Sequence, residues 1–292
     1  MKFGSAADPS AVDFTLPPTH PDTLTLLGAH KPAKPMDVYV GCAKWNRQDL
    51  KGFYPRGTKD ELSYYATQFN SIELNATFYN SPDKQQVETW SGKTPADFRF
   101  FPKVPQSVSH YGRLLNVDEK MTAFCDAIAL FEAKLGMSFL QMHDNYKPKD
   151  FDRLAVFVKK FAKAVPLAVE VRNAAWFADE QAAQSLYELL KAEQVTNVLV
   201  DALGRRDMLH MRLSTPTAFV RYVGANHPTD KPRLDEWVQR IKEWHGAGLQ
   251  SLYFFVHQHV ELESPLLSTY FIERLNETLG LHVRGPGSKL FD

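Results

Sequence analysis

Apolar and polar positions alternate along this chain with two different periods. Short runs rich in Val, Ile, Leu and Phe fit buried strands, and longer stretches with recurring apolar positions fit amphipathic helices. The pattern predicts eight strands, at residues 38–42, 71–75, 98–103, 137–143, 167–172, 197–201, 218–223 and 251–257. Between most of them it predicts helices, at residues 59–69, 82–91, 119–135, 151–164, 179–193, 234–246 and 265–279. Strands that alternate with helices of this length form parallel crossover units, so we predict an α/β fold, a single closed (β/α)8 TIM-type barrel.

The first 36 residues differ from the remainder of the chain. They are rich in Pro and polar residues and carry one short apolar patch at residues 24–27. We therefore predict an N-terminal extension over residues 1–36, packed on a barrel formed by residues 37–292. No glycine-rich phosphate-binding motif follows any predicted strand, which weakens the alternative of a dinucleotide-binding sheet.

The predicted strands carry polar residues near their carboxyl ends. Successive residues of a strand point to opposite sides, so Glu73 and Asn75 share one face while Ile72 and Leu74 share the other. The same alternation predicts an inward polar layer of Glu73, Asn75, Lys103, Gln141, His143, Glu170, Arg172, Asp201, Arg221 and His257, with His259 as a further candidate. It assigns the outward positions to Ile72, Leu74, Leu140, Met142, Val169, Val171, Val198 and Val200.

Two interpretations of this polar layer compete. It could be an internal salt-bridge network that closes the end of the barrel, or it could be a pocket. Buried charges add little net stability compared with apolar residues of similar volume, so a large set of them favours a functional pocket. Three aromatic residues in loops after the strands, Trp45, Tyr79 and Trp176, are predicted to frame its mouth and to bind ligand.

Composition limits the compartment and the partners. Lys plus Arg number 34 and Asp plus Glu number 34, so no net charge favours nucleic acid or an anionic membrane. The two cysteines, Cys42 and Cys125, exclude a disulfide framework, and we predict a cytoplasmic protein. No apolar run approaches the ~20 residues of a membrane span. Nucleic acid stays open as a partner through a local basic patch, and the pattern assigns no oligomeric state.

The polar layer predicts an enzyme that acts on a small polar or anionic ligand, sugar-like or phosphate-like. Glu73, Glu170 and Asp201 are the predicted catalytic residues, since carboxylates in unequal surroundings can serve as general acid and base. The predicted ligand-binding residues are Asn75, Lys103, Gln141, Arg172, Arg221, Trp45, Tyr79, Trp176 and His257.

We predict no cofactor and no metal ligand, although two alternatives stay open. One is a metal-dependent phosphodiesterase or nuclease acting on nucleic acid, in which His257 and His259 would hold a divalent ion with the carboxylates. The other is a ligand-binding barrel without catalysis.

Residues 69–79, Phe-Asn-Ser-Ile-Glu-Leu-Asn-Ala-Thr-Phe-Tyr, form the most specific motif of the chain. With this motif, residues 37–280 resemble the family known as domain of unknown function 72. Further matches are Gly41-Cys42, Trp45, Phe53-Tyr54-Pro55, Thr94-Pro95, Phe98-Arg99-Phe100, Lys103, Gln141, Glu170-Val171-Arg172, Trp176, Asp201 and Phe219-Val220-Arg221-Tyr222. The resemblance implies a TIM barrel and no established activity.

The chain departs from the family's usual pattern at three places. Ala43 and Lys44 precede the first Trp, Asn173 replaces a usual His, and His257-Gln258-His259 ends the eighth strand. These departures leave the Glu, Asn, Lys, Arg and Asp positions intact, but they put the family's eighth-strand contacts in doubt.

Overall fold

The protein is built on parallel strands that alternate with helices. The computed structural model describes residue 4 and residues 8–31 and 35–287. The strands in chain order are β1 (Asp37–Cys42), β2 (Ser71–Leu74), β3 (Arg99–Pro102), β4 (Ser138–Gln141), β5 (Leu167–Glu170), β6 (Thr196–Ala202), β7 (Thr217–Gly224) and β8 (Ser251–Gln258). Six of them form a curled sheet in the order β1-β8-β7-β6-β5-β4, and β2 pairs with β3. All of these pairings are parallel, which confirms the predicted α/β class.

The two sheets adjoin at both of their edges. At the first junction the backbone N–H of Val104 donates to the carbonyl of Phe139 at 2.9 Å, and Gly136 donates to Phe100 at 2.9 Å. At the second, the side chain of Asn70 accepts from the Val40 N–H at 3.0 Å and donates to the Val38 carbonyl at 2.8 Å. A side-chain amide thus takes the place of a backbone partner between β1 and β2.

Helices connect the strands on the outer side. They are α1 (Pro21–Gly28), α2 (Glu61–Gln68), α3 (Ala76–Tyr79), α4 (Lys84–Gly92), α5 (Asp118–Ala129), α6 (Phe151–Phe161), α7 (Ala175–Ala178), α8 (Glu180–Ala192), α9 (Asp230–Ala247) and α10 (Ser264–Leu279). Asp60, Asp83 and Asp179 accept hydrogen bonds from backbone N–H groups in the first turns of α2, α4 and α8. The prediction of helix over residues 119–135 is too long, because α5 ends at Ala129 and a short 3-10 turn follows.

Two apolar layers lie on opposite sides of the strands. The inner one is small and contains Phe101, Phe139, Ala168, Val198, Val200, Ala202, Met208, Phe219 and Phe255. The outer one is much larger and lies between the strands and the helices, with Ile72, Leu74, Leu140, Met142 and Val169 among its members. These five outer residues face the side that the sequence pattern predicts.

The described part of the N-terminal segment packs along α9 and the link before β7. Phe14 and Leu16 are buried, and the Leu16 N–H donates to Glu236 of α9 at 2.9 Å. The His20 N–H donates to the Met211 carbonyl at 3.2 Å. Gly4 lies at the end of β6, where its carbonyl accepts from the Gly204 N–H at 2.9 Å. Among the described residues, no helix is long and apolar enough to cross a membrane.

Candidate functional site

Two buried carboxylates and one guanidinium lie at the centre of the inner polar layer. Arg221 of β7 donates from Nε to Glu73 Oε2 at 2.8 Å and from Nη2 to Glu73 Oε1 at 2.9 Å. Its Nη1 donates to Glu170 Oε2 at 2.9 Å. Glu73 is second to last in β2 and Glu170 is last in β5, so the arginine joins strands from the two sheets. All three side chains are shielded from solvent.

Further polar side chains extend this group, which we call the inner cluster: Glu73, Asn75, Lys103, Gln141, Glu170, Arg172, Arg221 and His257. Gln141 donates from Nε2 to Glu170 at 3.0 Å and accepts from Lys103 Nζ at 2.8 Å. Arg172 Nε donates to Glu170 at 2.5 Å. Asn75 donates to Glu73 at 2.8 Å, and His257 Nε2 lies 3.1 Å from Glu73 Oε2. The structure thus brings together eight of the side chains that the sequence pattern nominated.

Charge pairing keeps both carboxylates ionised. Burial alone would raise the pKa of Glu170, but Arg172 and Arg221 lower that pKa to about 2. Burial opposes ionisation of Glu73 in the same way, and Arg221 and His257 hold its pKa well below the ordinary range. Neither carboxyl group carries a proton near neutral pH, so neither can act there as a general acid.

The surroundings of Lys103 disfavour its charged form, whereas those of Glu73 and Glu170 favour theirs. It is 8% exposed, and burial together with the positive charges of Arg221 and Arg172 lowers its pKa to about 7. Its Nζ donates to Gln141 and lies 3.9 Å from the centre of the Phe78 ring. At neutral pH this amine exists in both protonation states, so it can both accept and donate a proton.

A cleft of ≈ 480 Å³ opens above Lys103 and Gln141. Its lining is Phe78, Tyr79, Lys103, Gln106, His110, Tyr111, Arg113, Gln141, His143 and Asn145. These lining residues include Lys and Arg but no Asp or Glu. The negative charges of the inner cluster are therefore neutralised behind the floor of the cleft, while positive charge faces its interior.

One wall of the cleft has unusual backbone geometry. Residues Ser107–Tyr111 form a turn of π-helix, which carries His110 and Tyr111. Arg113, Leu114 and Asn116 follow with φ between 48° and 64°, the left-handed region that few residues other than glycine adopt. Such backbone is frequent at functional sites, where the surrounding structure holds it in place. Burial and the neighbouring Lys103 lower the pKa of His110 to about 4, so its imidazole is neutral at pH 7.

Asp201 does not join the inner cluster, and the prediction that it faces the interior is wrong. Val198 and Val200 face the inner apolar layer, so Asp201 points outward beneath α9. There it accepts hydrogen bonds from Trp237 Nε1 at 2.7 Å and from Arg233 at 2.8 Å. Every residue of β6 is buried, so its sequence shows no contrast between an apolar and a polar face.

Two of the three predicted mouth aromatics also lie elsewhere. Trp45 packs against the outer apolar layer and forms an edge contact with Trp90 at 6.0 Å. Trp176 is fully buried in that layer and donates to the Tyr146 carbonyl at 2.9 Å. Their positions just after strands fit packing under helices as well as they fit the mouth. Tyr79 does line the cleft.

The sequence interpretation missed much of the cleft wall. It did not select Gln106, His110, Tyr111, Arg113 or Asn145. All five come from the segments after β3 and β4, where strand alternation cannot predict which way a side chain points. A search for aromatic and basic residues in the segments after strands would have found Tyr111 and Arg113.

A divalent metal does not fit between the two carboxylates. The guanidinium of Arg221 occupies that position and already pairs with both Glu73 and Glu170. Across the described ranges, no group of three or more His, Cys, Asp or Glu side chains is arranged to hold a metal ion. This geometry gives no support to the alternative of a metal-dependent nuclease.

Comparison with known proteins places this chain in a family. The chain belongs to the family described as Protein of unknown function DUF72, whose sequence model matches residues 39–288. This confirms the resemblance seen at residues 69–79.

Two curated relatives and a solved structure agree with this assignment. UPF0759 protein YecE of Escherichia coli (strain K12) is 26% identical over 264 residues, which cover 83% of this chain and 94% of YecE. UPF0759 protein YunF of Bacillus subtilis (strain 168) is 28% identical over 165 residues, which cover 53% of this chain and 57% of YunF. The crystal structure of a DUF72 family protein from Enterococcus faecalis V583 superposes with a TM-score of 0.67 at 18% identity, covering 86% of this chain and 99% of that one. That likeness concerns the fold.

Proposed function

We propose that this protein is an enzyme that transfers a proton to or from a small anionic ligand, sugar-like or phosphate-like, bound in the cleft. The observation that carries the proposal is Lys103, whose amine lies on the floor of a cleft free of carboxylates and has a pKa of about 7. A proton-transfer group works best when its pKa lies near the working pH.

The inner cluster has a positioning role in this proposal. Glu73 and Glu170 stay ionised and hold Arg221, and Glu170 orients Gln141, which in turn fixes the amine of Lys103. The carboxylates therefore act on the ligand through Arg221 and Lys103, and direct acid–base chemistry by Glu73 or Glu170 is the less favoured version. Asp201 has no part in it, because it lies on the outer side of β6.

The charge of the ligand can be inferred from the residues that line the cleft. An anion entering the cleft meets Lys103 and Arg113 as cations, and His110 and Asn145 as neutral polar groups. Arg113 also donates to Asn145 Oδ1 at 3.1 Å and lies 3.6 Å from Asp150 Oδ2, so Lys103 carries more of the attraction. Binding of an anion near Lys103 favours the ammonium form, which holds the anion, and the fraction of Lys103 that stays neutral would accept a carbon-bound proton of the ligand on Nζ. The electron pair of the broken C–H bond would stay on the ligand as an enolate until the proton, exchanged with solvent, is returned to carbon.

Deuterium exchange into phosphorylated sugars tests the proposal. Ribose 5-phosphate, glucose 6-phosphate and dihydroxyacetone phosphate are incubated with the protein in deuterated water, and loss of carbon-bound proton signals is followed by NMR. We expect exchange in at least one of them, lost in Lys103→Met and retained in Asp201→Asn. Binding without exchange would indicate a ligand-binding barrel without catalysis, and absence of binding would overturn the ligand class.

We also propose that the eight strands close into a single (β/α)8 barrel over residues 37–292, with residues 1–36 as an extension packed on it. The support comes from the contacts at the two junctions between the sheets, where Val104 and Gly136 bond to their neighbours through backbone and Asn70 bonds through its side chain.

A further inference from the structure

Two exposed tyrosines line the cleft. Tyr79 is 67% exposed and Tyr111 is 76% exposed, and both belong to the cleft wall. Within the described residues, no other Phe, Tyr or Trp is classed as exposed. Since an exposed aromatic ring leaves a large apolar surface in water, two of them around one cleft point to a flat ligand.

The rings continue from the rim to the floor. The ring centre of Phe78 lies 5.2 Å from that of Tyr79 and 4.9 Å from that of His110. Lys103 Nζ lies against the face of the same Phe78 ring. The cleft therefore has an aromatic rim and a cationic floor, joined by one continuous set of side chains.

Resting on the proposed function, in which the cleft takes an anionic ligand, we propose that this ligand is a nucleoside monophosphate. The base would lie against Tyr79 and Tyr111, and the phosphate would be bound by Lys103 and Arg113. A sugar phosphate alone offers no flat face to the exposed rings, whereas every nucleic-acid base has one. The volume of ≈ 480 Å³ falls in the range of pockets that enclose small ligands.

The same chemistry is present in a free nucleotide and in the 5′-terminal nucleotide of an oligonucleotide. The protein has no net charge, with 34 basic and 34 acidic residues, which gives little attraction for a long polyanion. We therefore assign the free mononucleotide, and a 5′-phosphorylated oligonucleotide serves as the comparison.

Calorimetric titration with matched ligands tests the assignment. The ligands are AMP, adenosine, ribose 5-phosphate and a 5′-phosphorylated tri-adenylate, each titrated into the complete chain. We expect AMP to bind more tightly than adenosine and than ribose 5-phosphate, because each of these lacks one half of the recognised group. Tighter binding of the tri-adenylate than of AMP would overturn the free nucleotide as the ligand.

Variants of the rim separate stacking from phosphate binding. Tyr79→Ala and Tyr111→Ala should each weaken AMP binding on the order of tenfold and leave ribose 5-phosphate binding unchanged. Tyr79→Phe should retain AMP binding, because the ring is kept. Val156→Ala is the matched control, since Val156 is 68% exposed on α6 outside the lining of this cleft.

The outcomes distinguish this inference from the proposed function. If ribose 5-phosphate binds as tightly as AMP and the tyrosine variants bind both alike, the nucleotide assignment is overturned, and the proposed function, an anionic ligand in this cleft, stands. If neither AMP nor ribose 5-phosphate binds, both are overturned. If adenosine binds as tightly as AMP, the cationic floor makes no contribution, and the anionic ligand class falls together with the nucleotide.

Discussion

Two buried clusters of charged residues in the described part of the chain differ in their access to a ligand. The outer cluster, Asp201, Arg206, Arg233, Asp230 and Trp237, lies between the sheet and α9. There Arg233 lies between the rings of Phe14 and Tyr222, 4.3 Å and 4.4 Å from their centres, which close it off from solvent. The inner cluster also pairs carboxylates with arginines, but Lys103 and Gln141 open it to the cleft.

This difference indicates how to distinguish structural from functional charge. Both clusters pair their carboxylates with arginines at hydrogen-bond distance, so pairing alone identifies neither as a site. The inner cluster also holds a cation whose pKa is lowered to about 7, at a surface that a ligand can reach. We therefore interpret the outer cluster as stabilising the fold and the inner cluster as serving a ligand.

The largest effect on stability should come from Arg221→Met. It would leave Glu73 and Glu170 buried without the guanidinium that joins them, and breaking such a pair destabilises by ~3–5 kcal/mol. Urea unfolding of the variant and of the wild type measures the difference. A loss below ~1 kcal/mol would show that the inner cluster does not depend on this pairing.

Asp201→Asn should have a smaller effect on stability and none on ligand binding. The amide oxygen can still accept one hydrogen bond, and Arg233 keeps Asp230 as a partner at 3.1 Å, so we expect a loss of ~1–3 kcal/mol. Phosphate-ligand affinity, measured by calorimetry on the folded variant, should equal that of the wild type. Reduced affinity here would remove the functional distinction between the clusters.

Lys103→Met should have the opposite effects, with ligand affinity reduced and stability retained. The thioether has a similar shape and no charge to bury, and burial of the Lys103 ammonium costs stability at pH 7, so the variant should be at least as stable as the wild type there. Affinity for ribose 5-phosphate should fall roughly tenfold or more, because a charge-assisted hydrogen bond to the anion is lost. Unchanged affinity at unchanged stability would contradict the assigned role of Lys103.

Lys103 should also produce a pH dependence of stability, of about 3–4 kcal/mol between pH 7 and pH 10. Its pKa in the folded chain is about 7, below the ordinary 10.5, because burial and nearby arginines disfavour the ammonium. Between these values the unfolded chain carries a proton that the folded chain lacks, so stability rises with pH across this window. The unfolding free energy of the wild type minus that of Lys103→Met should therefore rise from pH 7 to pH 10. Parallel pH profiles would show that the pKa is not lowered.

The fold could be predicted from sequence because strand and helix periods are distinct. Residues 71–75 alternate between polar and apolar side chains, and the outward residues Ile72 and Leu74 lie where the pattern predicts. The one-turn helices α3 and α7 could not be predicted, since four residues are too few to establish a helical period.

The candidate site could be predicted only where strand alternation was informative. Glu73, Glu170 and Arg221 lie on strands with one polar residue in an apolar context, and the structure brings them together. Asp201 lies on a strand buried on both faces, where the sequence gives no direction. Tyr111 and Arg113 lie on an irregular segment whose left-handed residues follow no repeating pattern.

The most direct test of the account is the pKa of Lys103 measured by NMR, with and without ligand. The ε-carbon signal of Lys103 is assigned by its absence in Lys103→Arg and titrated in the free protein and with saturating ribose 5-phosphate. The account predicts a midpoint of about 7 in the free protein and a clear rise when phosphate is bound, since the anion favours the ammonium. A midpoint near the ordinary 10.5 that does not move with ligand would contradict it.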